Sequence, residues 1–285
     1  MYKSTSILIA ILAFFSTIAI CDSTKTIQAQ QTQEEISSDA DISSILKSES
    51  GADQAYIWYL FHCGYAVKTK TKLLIFDYVR RHWVRQDEPE HRSLSNGWIN
   101  PEEIKNLDVY VFVSHSHKDH YDSTILGWQD TLNNITYFFG WDEAEGSKYH
   151  NMVGPREIFK ECKIEVYTIN SNQNKIPEVA YLVKTDDLFI YHGGDYNGDI
   201  ESDFAFLATF VDKLDFMMAN DGCVGQITEP IRLFKPDLIF PGHFGGEEHK
   251  RRTLVDCLPE YNFGCEVKSP LKRGHMFSYN RGDYD

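Results

Sequence analysis

The chain has 285 residues, of which 42 are acidic and 28 basic, giving a formal net charge of −14. No cluster of Lys and Arg and no basic stretch interleaved with aromatic residues is present, which argues against DNA or RNA as a partner. Six cysteines without zinc-ribbon spacing do not imply a dense disulfide framework.

The first 21 residues have the organisation of a secretory signal peptide. A basic head at residues 1–3 precedes an apolar stretch at residues 7–20, which is shorter than the roughly 20 residues that a membrane span needs. We expect an exported protein, periplasmic or extracellular. Cys21 is a candidate lipid-anchor site, although the bulky Ile20 before it disfavours lipidation; an uncleaved anchor is a further alternative. Membrane contact is expected only through this segment.

Residues 22–54 are predicted to be a polar leader. They are rich in Ser, Thr, Gln, Asp and Glu, and hold too few large apolar side chains to order themselves. One short helix over residues 34–46 is the exception that the pattern allows. The catalytic domain is therefore expected at residues 55–285, a length that suits a single domain.

Strand and helix patterns alternate along this domain. Predicted strands are short β-branched and aromatic runs; they cover residues 55–61, 66–77, 109–113, 135–139, 164–168, 179–183, 188–191, 215–218 and 238–241. Predicted helices cover residues 200–211 and 227–234. Strands first, then strand–helix alternation, favour an α/β fold of two sheets with helices on both outer faces.

The segment at residues 114–120, Ser-His-Ser-His-Lys-Asp-His, is the most informative in the chain. It follows the predicted strand at 109–113. Side chains two apart on a strand face the same way, so His115 and His117 project together while Asp119 and His120 follow in the turn. Four residues of ligand type in one short loop predict a divalent-metal site. The mixture of nitrogen and oxygen donors suits zinc, with manganese or iron as alternatives.

This segment resembles the signature of the metallo-β-lactamase superfamily, whose members are mostly hydrolases with a four-layer αββα sandwich. Other residues characteristic of the superfamily are matched by Asp77 after an early strand, Asp195 in a Gly-Asp turn and His243 after a late strand. The resemblance implies one metal held by Asp119, His120, Asp195 and His243. It also implies another metal, held by His115, His117 and the shared Asp195. We call this the first metal, because its ligands begin earlier in the chain.

One residue characteristic of the superfamily is missing from the sequence. The family usually supplies a third His to the first metal, and this chain has no His between His150 and His192. Asn172, after the predicted strand at 164–168, is a weak candidate substitute, because an amide is a poorer zinc ligand than an imidazole. We therefore expect one firm metal and one weak or absent metal.

Three further residues are candidates for the surroundings of the metal. Asp77 is either an acceptor for a ligand His, which would fix its tautomer, or a strand-end cap. His62 ends the first predicted strand and is a candidate pocket residue. His192, three residues before Asp195, is more readily interpreted as a structural His than as a pocket residue.

The expected chemistry follows from the metal. A bound divalent ion lowers the pKa of its water to roughly 7, which makes hydroxide available at neutral pH. Asp119 and His120 are the candidate catalytic residues, and Asp119 would also orient the nucleophile. The leading hypothesis is a hydrolase of an ester, lactone or phosphodiester of an unknown small molecule, as in the lactonase and phospholipase D branch that the chain resembles. The alternatives are a β-lactamase and a non-catalytic binding protein that has lost one metal.

Overall fold

The computed structural model describes residues 39–80, 87–161, 163–171, 176–222, 224–250 and 253–284. The described residues belong to one compact unit, Ile36–Asp285. The predicted signal peptide, Cys21, most of the polar leader and the ligand candidate Asn172 lie outside the described residues. No helix in the described ranges has the length and apolar character of a membrane span.

The described strands form two seven-stranded sheets. The first sheet contains β1 (Gln54–Phe61), β2 (Gly64–Lys68), β3 (Lys72–Phe76), β4 (Asp108–Val113), β5 (Ile135–Phe139), β6 (Tyr149–Asn151) and β14 (Met276–Asn280). The second contains β7 (Arg156–Glu161), β8 (Ile164–Asn170), β9 (Val179–Thr185), β10 (Leu188–His192), β11 (Phe216–Asn220), β12 (Leu238–Gly242) and β13 (Glu266–Val267).

Both sheets are half antiparallel and half parallel. The first has the order β14-β1-β2-β3-β4-β5-β6, antiparallel up to β3 and parallel beyond it. The second has the order β13-β12-β11-β10-β9-β8-β7, parallel up to β10 and antiparallel beyond it. Strands β1, β3 and β4 of the first sheet consequently end at the same edge, as do β10, β11 and β12 of the second.

Helices cover the outer faces of the sheets. They are α1 (Asp39–Lys47), α2 (Pro101–Ile104), α3 (Ile200–Leu207), α4 (Val224–Phe234) and α5 (Thr253–Cys257). Short 3-10 helices lie at Leu94–Asn96, Ser123–Asp130, Leu258–Tyr261 and Arg281–Asp283.

Three apolar layers hold this arrangement together, because side chains along each strand alternate between faces. In β3, Leu74 and Phe76 enter the layer between the sheets, whereas Leu73 and Ile75 enter the layer beneath the helices of the first sheet. A third layer, which includes Phe204 of α3, packs beneath the helices of the second sheet. The predicted αββα sandwich is confirmed.

The structure differs from the sequence prediction in places where polar residues interrupt or form a strand. The single strand predicted over 66–77 is wrong: Thr69 N–H donates to Lys72 O at 2.9 Å, and the turn separates β2 from β3. Strands β6, β7, β13 and β14 were not predicted. Within the predicted leader, α1 buries Ile42 and Leu46 against the first sheet's outer layer, because these residues, four apart, share one helix face.

Candidate metal centre

The candidate site lies along the sandwich edge where strands of both sheets end. Because β9 runs antiparallel to β10, the residue that precedes β9 reaches the same edge as the residues that follow β10, β11 and β12. The polar side chains at these strand ends are His62, Asp77, His115, Glu178, Asp195, Asn220 and His243.

The loop after β4 turns sharply and thereby presents its ligands together. The N–H groups of His120 and Tyr121 both donate to His117 O, at 3.0 and 2.8 Å. His115 Nε2 lies 2.9 Å from His117 Nδ1, so two imidazole nitrogens face one small volume. Burial and the neighbouring His120 lower the pKa of His115 to about 4. Its imidazole is therefore neutral at physiological pH, the state that binds a metal.

Asp77 and Ser114 fix the tautomers of two ligand histidines. Asp77 accepts hydrogen bonds from Ser114 N–H, from Ser114 Oγ and from His120 Nδ1–H, each at 2.7 Å. Since the Ser114 hydroxyl gives its proton to Asp77, its oxygen accepts from His115 Nδ1–H at 3.0 Å. Both imidazoles thus carry a proton on Nδ1 and direct Nε2 at the site, the arrangement typical of metal-ligating histidines.

The surroundings of His120 require a positive charge. Its ring is fully buried, and Nε2 makes no hydrogen bond within the described residues, although it lies 3.4 Å from Asp195 Oδ2. Burial alone would lower the pKa of His120, but Asp77 on one side and Asp195 on the other raise it well above its usual value. A divalent ion at Nε2 would supply the same positive charge as a second proton, so these residues fit a metal.

Asp195 lies between two imidazoles. Its Oδ2 is 3.4 Å from Nε2 of both His120 and His243. Burial would raise the pKa of Asp195, but the two imidazoles hold it well below its usual range, so the carboxyl is ionised. Asn220 Nδ2 donates to Asp195 Oδ1 at 3.2 Å and orients the carboxylate. The sequence analysis missed Asn220; its only sequence signal is its place at the end of β11.

His62 and Asp119 form a neighbouring pair. Ligand atoms of His62, Asp119, His120 and His243 lie within 4.8 Å of one another. His62 Nδ1 accepts a hydrogen bond from Gly245 N–H at 3.1 Å, so its proton sits on Nε2, which is 3.5 Å from Asp119 Oδ2. His62 Nε2–H therefore faces Asp119, and this nitrogen does not offer a lone pair to a metal. Burial would raise the pKa of Asp119, but His62 and His120 lower it, and the carboxyl stays ionised.

Glu178 is a site residue that the sequence analysis missed. Its ligand atom lies within 4.8 Å of those of His115 and His117, and the residue is 4 % exposed. Ser171 Oγ donates to Glu178 Oε2 at 3.2 Å. No sequence motif marks Glu178, apart from its place directly before β9. Asn172, the candidate predicted from the sequence for this position, lies outside the described residues.

Two residues behind the ligands complete the wall of the site. Cys63, a buried free thiol, has its sulfur within 4.8 Å of ligand atoms of His120 and Asp195, and burial raises the pKa of the thiol. His192 Nε2 donates to Cys63 O at 3.0 Å, and its ring stacks on Phe76. His192 thus supports the turn after β1 and belongs to no ligand group among the described residues.

Several site residues occupy a strained backbone conformation. The φ angles of His62, Asp77 and His243 are 55, 42 and 67°, in the left-handed region that non-glycine residues rarely adopt. Such strain costs of order 1–3 kcal/mol per residue and persists only where the surrounding contacts enforce it. At His243 the contact is a hydrogen bond from its N–H to His62 O at 2.9 Å. The strain redirects these side chains from their strand ends into the site.

The structure brings together all the firm ligand candidates of the sequence analysis, which are His115, His117, Asp119, His120, Asp195 and His243. The ligand atoms fall into three groups. Two of them share His120, one with His62, Asp119 and His243 and the other with Cys63 and Asp195, and the third consists of His115, His117 and Glu178. Imidazoles and carboxylates in such proximity can hold one or two divalent cations.

The fold is that of the metallo-β-lactamase proteins. The metallo-β-lactamase fold protein YhfI of Bacillus subtilis superposes with a TM-score of 0.51 at 13% identity, covering 79% of this chain and 99% of that chain. Igni18, a metallo hydrolase of the archaeon Ignicoccus hospitalis, superposes with a TM-score of 0.55 at 13% identity, covering 80% of this chain and 99% of that chain.

Sequence comparison agrees with the structural one. A UPF0173 metal-dependent hydrolase of Pyrococcus horikoshii is 26% identical in an alignment 205 residues long, which covers 65% of this chain and 83% of the relative. No family model matches the chain. The predicted resemblance to the metallo-β-lactamase superfamily is confirmed at the level of the fold.

Proposed function

We propose that the chain is a metal-dependent hydrolase that cleaves an ester, lactone or phosphodiester bond of a small molecule. The observation that carries the proposal is the buried Nε2 of His120, which faces Asp195 in a site enclosed by ligand-type side chains. The metal-dependent hydrolase of P. horikoshii, to which the chain is similar, supports the same class of activity.

The residues of the site have separable roles in this proposal. A bound divalent ion would supply a water of pKa roughly 7 and would polarise the bond under attack. Asp119 is ionised and its Oδ2 lies 3.5 Å from His62 Nε2, and its role would be to accept a hydrogen bond from the attacking water. His120 and His243 would act as neutral ligands, so neither serves as a general acid.

The proposed ion is zinc, manganese or iron, and the proposed location is outside the cytoplasm. Imidazole donors suit zinc and iron, and carboxylate donors suit manganese, so the mixed donor set supports all three. Export is proposed from the N-terminal segment alone. Fractionation of expressing cells tests it, because a full-length chain found only in the cytoplasm would contradict the proposal.

The test of the hydrolase proposal pairs elemental analysis with a substrate panel. The purified chain should contain at least one transition metal and hydrolyse a generic lactone, ester or phosphodiester, and a chelator should abolish the activity. Asp119→Asn should lower kcat by about 100-fold or more, the loss expected for a group that handles the proton. Exposed Glu145→Gln is the control and should leave activity unchanged.

Two outcomes would redirect the proposal. Hydrolysis of a chromogenic β-lactam, without hydrolysis of the other substrates, would favour the β-lactamase alternative. Absence of any bound transition metal after growth and purification with added metal would favour a non-catalytic binding protein. That alternative was motivated by a missing ligand, and Glu178 now stands beside His115 and His117.

A further inference from the structure

We propose that Glu178 takes the place of the missing third His as a ligand of the first metal position, beside His115 and His117. We further propose that its carboxylate shifts this position towards manganese or iron and away from zinc, relative to a third imidazole. The inference rests on the proposed function, which it deepens by specifying the metal chemistry of this chain.

The position of Glu178 is enforced by the backbone. Val179 N–H donates to Ser114 O at 3.0 Å, which connects the start of β9 to the residue before His115. Ser171 N–H donates to Glu178 O at 2.9 Å, which ties the residue that follows β8 to the residue before β9. Glu178 is thus tied on both sides, and its displacement would require the register of the second sheet to change.

The side chain is held as firmly as the backbone. Ser171 Oγ donates to Glu178 Oε2 at 3.2 Å, which limits the orientations of the carboxylate. Glu178 is 4 % exposed, and burying a carboxylate is costly unless a positive charge or hydrogen bonds compensate it. Together with His115 and His117, whose ring nitrogens are 2.9 Å apart, a metal ion would provide that charge.

The chemistry of the donors determines the expected preference. Two imidazoles and one carboxylate hold zinc in some hydrolases and iron in others, whereas a third imidazole would favour zinc more strongly. Replacing a nitrogen donor with a hard oxygen donor therefore retains zinc binding but improves the competition of manganese and iron. The quantity that Glu178 sets is the ratio of the zinc and manganese affinities at the first position.

The experiment compares metal binding by the full-length chain and two variants, without substrate. Metal-free protein is titrated with Mn²⁺ or Zn²⁺, stoichiometry is measured by elemental analysis, and Mn²⁺ EPR distinguishes a coupled pair from a single ion. The wild-type chain should bind two Mn²⁺ ions. Glu178→Gln should lose the first-position ion, because removal of a ligand should cost more than the roughly 10–100-fold in affinity that removal of a ligand's hydrogen-bond partner costs.

Glu178→His tests the preference itself. This variant should keep two ions but raise the Zn²⁺ to Mn²⁺ affinity ratio by at least about tenfold, because imidazole replaces a hard oxygen donor. Exposed Glu145→Gln is the matched control and should reproduce the wild-type values. If Glu178→Gln does not fold, Ser171→Ala replaces it. This variant should lower the Mn²⁺ affinity of the first position by roughly 10-fold and leave the affinity of the other position unchanged.

The outcomes separate this inference from the proposed function. Two Mn²⁺ ions of unchanged affinity in Glu178→Gln, or in Ser171→Ala where that variant decides, would overturn the assignment of Glu178 as a ligand. An unchanged affinity ratio in Glu178→His would overturn the proposed preference. A wild-type chain that binds two ions but hydrolyses no substrate would contradict the hydrolase proposal, whereas the assignment of Glu178 is decided by the variants alone.

Discussion

Asp77 governs the site through the position of one proton. It contacts no metal position directly, but its Oδ2 accepts His120 Nδ1–H at 2.7 Å and so leaves Nε2 as the nitrogen at which a metal can take the place of a second proton. The same carboxylate holds Ser114, which in turn fixes the tautomer of His115. Two ligands therefore depend on one buried acceptor that the metal does not need to touch.

Asp77→Asn should release metal while leaving the chain folded. The amide can present its NH₂ to His120 Nδ1, so the His120 proton moves to Nε2, where it blocks a metal. We expect metal affinity to fall by about 10–100-fold. Titration with Zn²⁺ measures the affinity, and nitrogen NMR of the imidazoles reports the tautomer. Exposed Asp130→Asn is the control; unchanged affinity in Asp77→Asn would contradict the role given to this carboxylate.

The sequence identified the contiguous site residues from their spacing, and Asp77, Asp195 and His243 from the family resemblance. It missed Glu178 and Asn220, which carry no motif. His115, His117, Asp119 and His120 could be predicted because one strand and one turn place them. Glu178 has no local signature, since only the hydrogen bond between Val179 and Ser114 brings it to the imidazoles. Pairing of distant strand ends is decided by the whole fold and cannot be read from a short window.

At the level of elements, the turn after β10 packs closely against the loop after β4. Gly194 has a φ of 53°, and a Cβ added there would lie 2.6 Å from Ser114 Cβ and 2.7 Å from Ser114 Oγ. This close approach places Asp195 opposite His120, because the two loops cannot separate without moving the carboxylate out of the site. The glycine is required here by space as well as by backbone conformation.

Gly194→Ala should therefore lose both stability and metal. We expect the free energy of unfolding to fall by about 1–3 kcal/mol, from the left-handed backbone and the contact with Ser114, and metal affinity to fall with it as Asp195 shifts. Urea denaturation and metal titration measure the two effects. Gly127→Ala is the control, because a Cβ there meets nothing within 4 Å. Equal behaviour of the two variants would refute this account of the turn.

Elements were predictable where apolar side chains face two buried layers. Strands β4 and β5 are apolar on both faces, and the sequence located both closely. Strand β7 is largely exposed and β14 pairs with β1, more than 200 residues away in the sequence, so neither has a strong local pattern. The turn that divides β2 from β3 was missed because Thr69 and Thr71 also suit strands.

For the whole molecule, the end opposite the metal centre is closed by polar contacts between the sheets. The hydroxyl of Tyr279 in β14, in the first sheet, lies 2.7 Å from Asp215 Oδ1 and 2.8 Å from Asp237 Oδ2, both next to strands of the second sheet, and its one proton is shared between these carboxylates. Arg281 Nε donates to Asp215 at 2.7 Å. The apolar layer between the sheets is thus sealed at this end by carboxylates, and at the other by the ligand residues.

Asp186 makes a second contact of this kind. It lies in the turn between β9 and β10 and accepts hydrogen bonds from Thr69 Oγ1, Thr71 N–H and Thr71 Oγ1 in the turn between β2 and β3, at 2.6, 2.8 and 2.9 Å. Lys72 Nζ lies 3.5 Å away. Burial would raise the pKa of Asp186, but these hydrogen bonds and the lysine lower it below its usual value.

Asp186→Asn should lower the free energy of unfolding at pH 7 by about 1–2 kcal/mol, since hydrogen bonds to a charged acceptor are among the stronger ones. A carboxyl whose pKa is lower in the folded state stabilises the fold above its unfolded pKa of roughly 3.9, and this stabilisation is lost as pH falls through the folded pKa. The difference in the free energy of unfolding between wild type and variant should be constant from pH 7 to about 5 and shrink below pH 4.

Urea denaturation of metal-free protein measures this difference, with exposed Asp187→Asn in the same turn as control. A difference that grew on acidification would mean that Asp186 is stabilised in its protonated form, and the contact between the sheets would not be ionic.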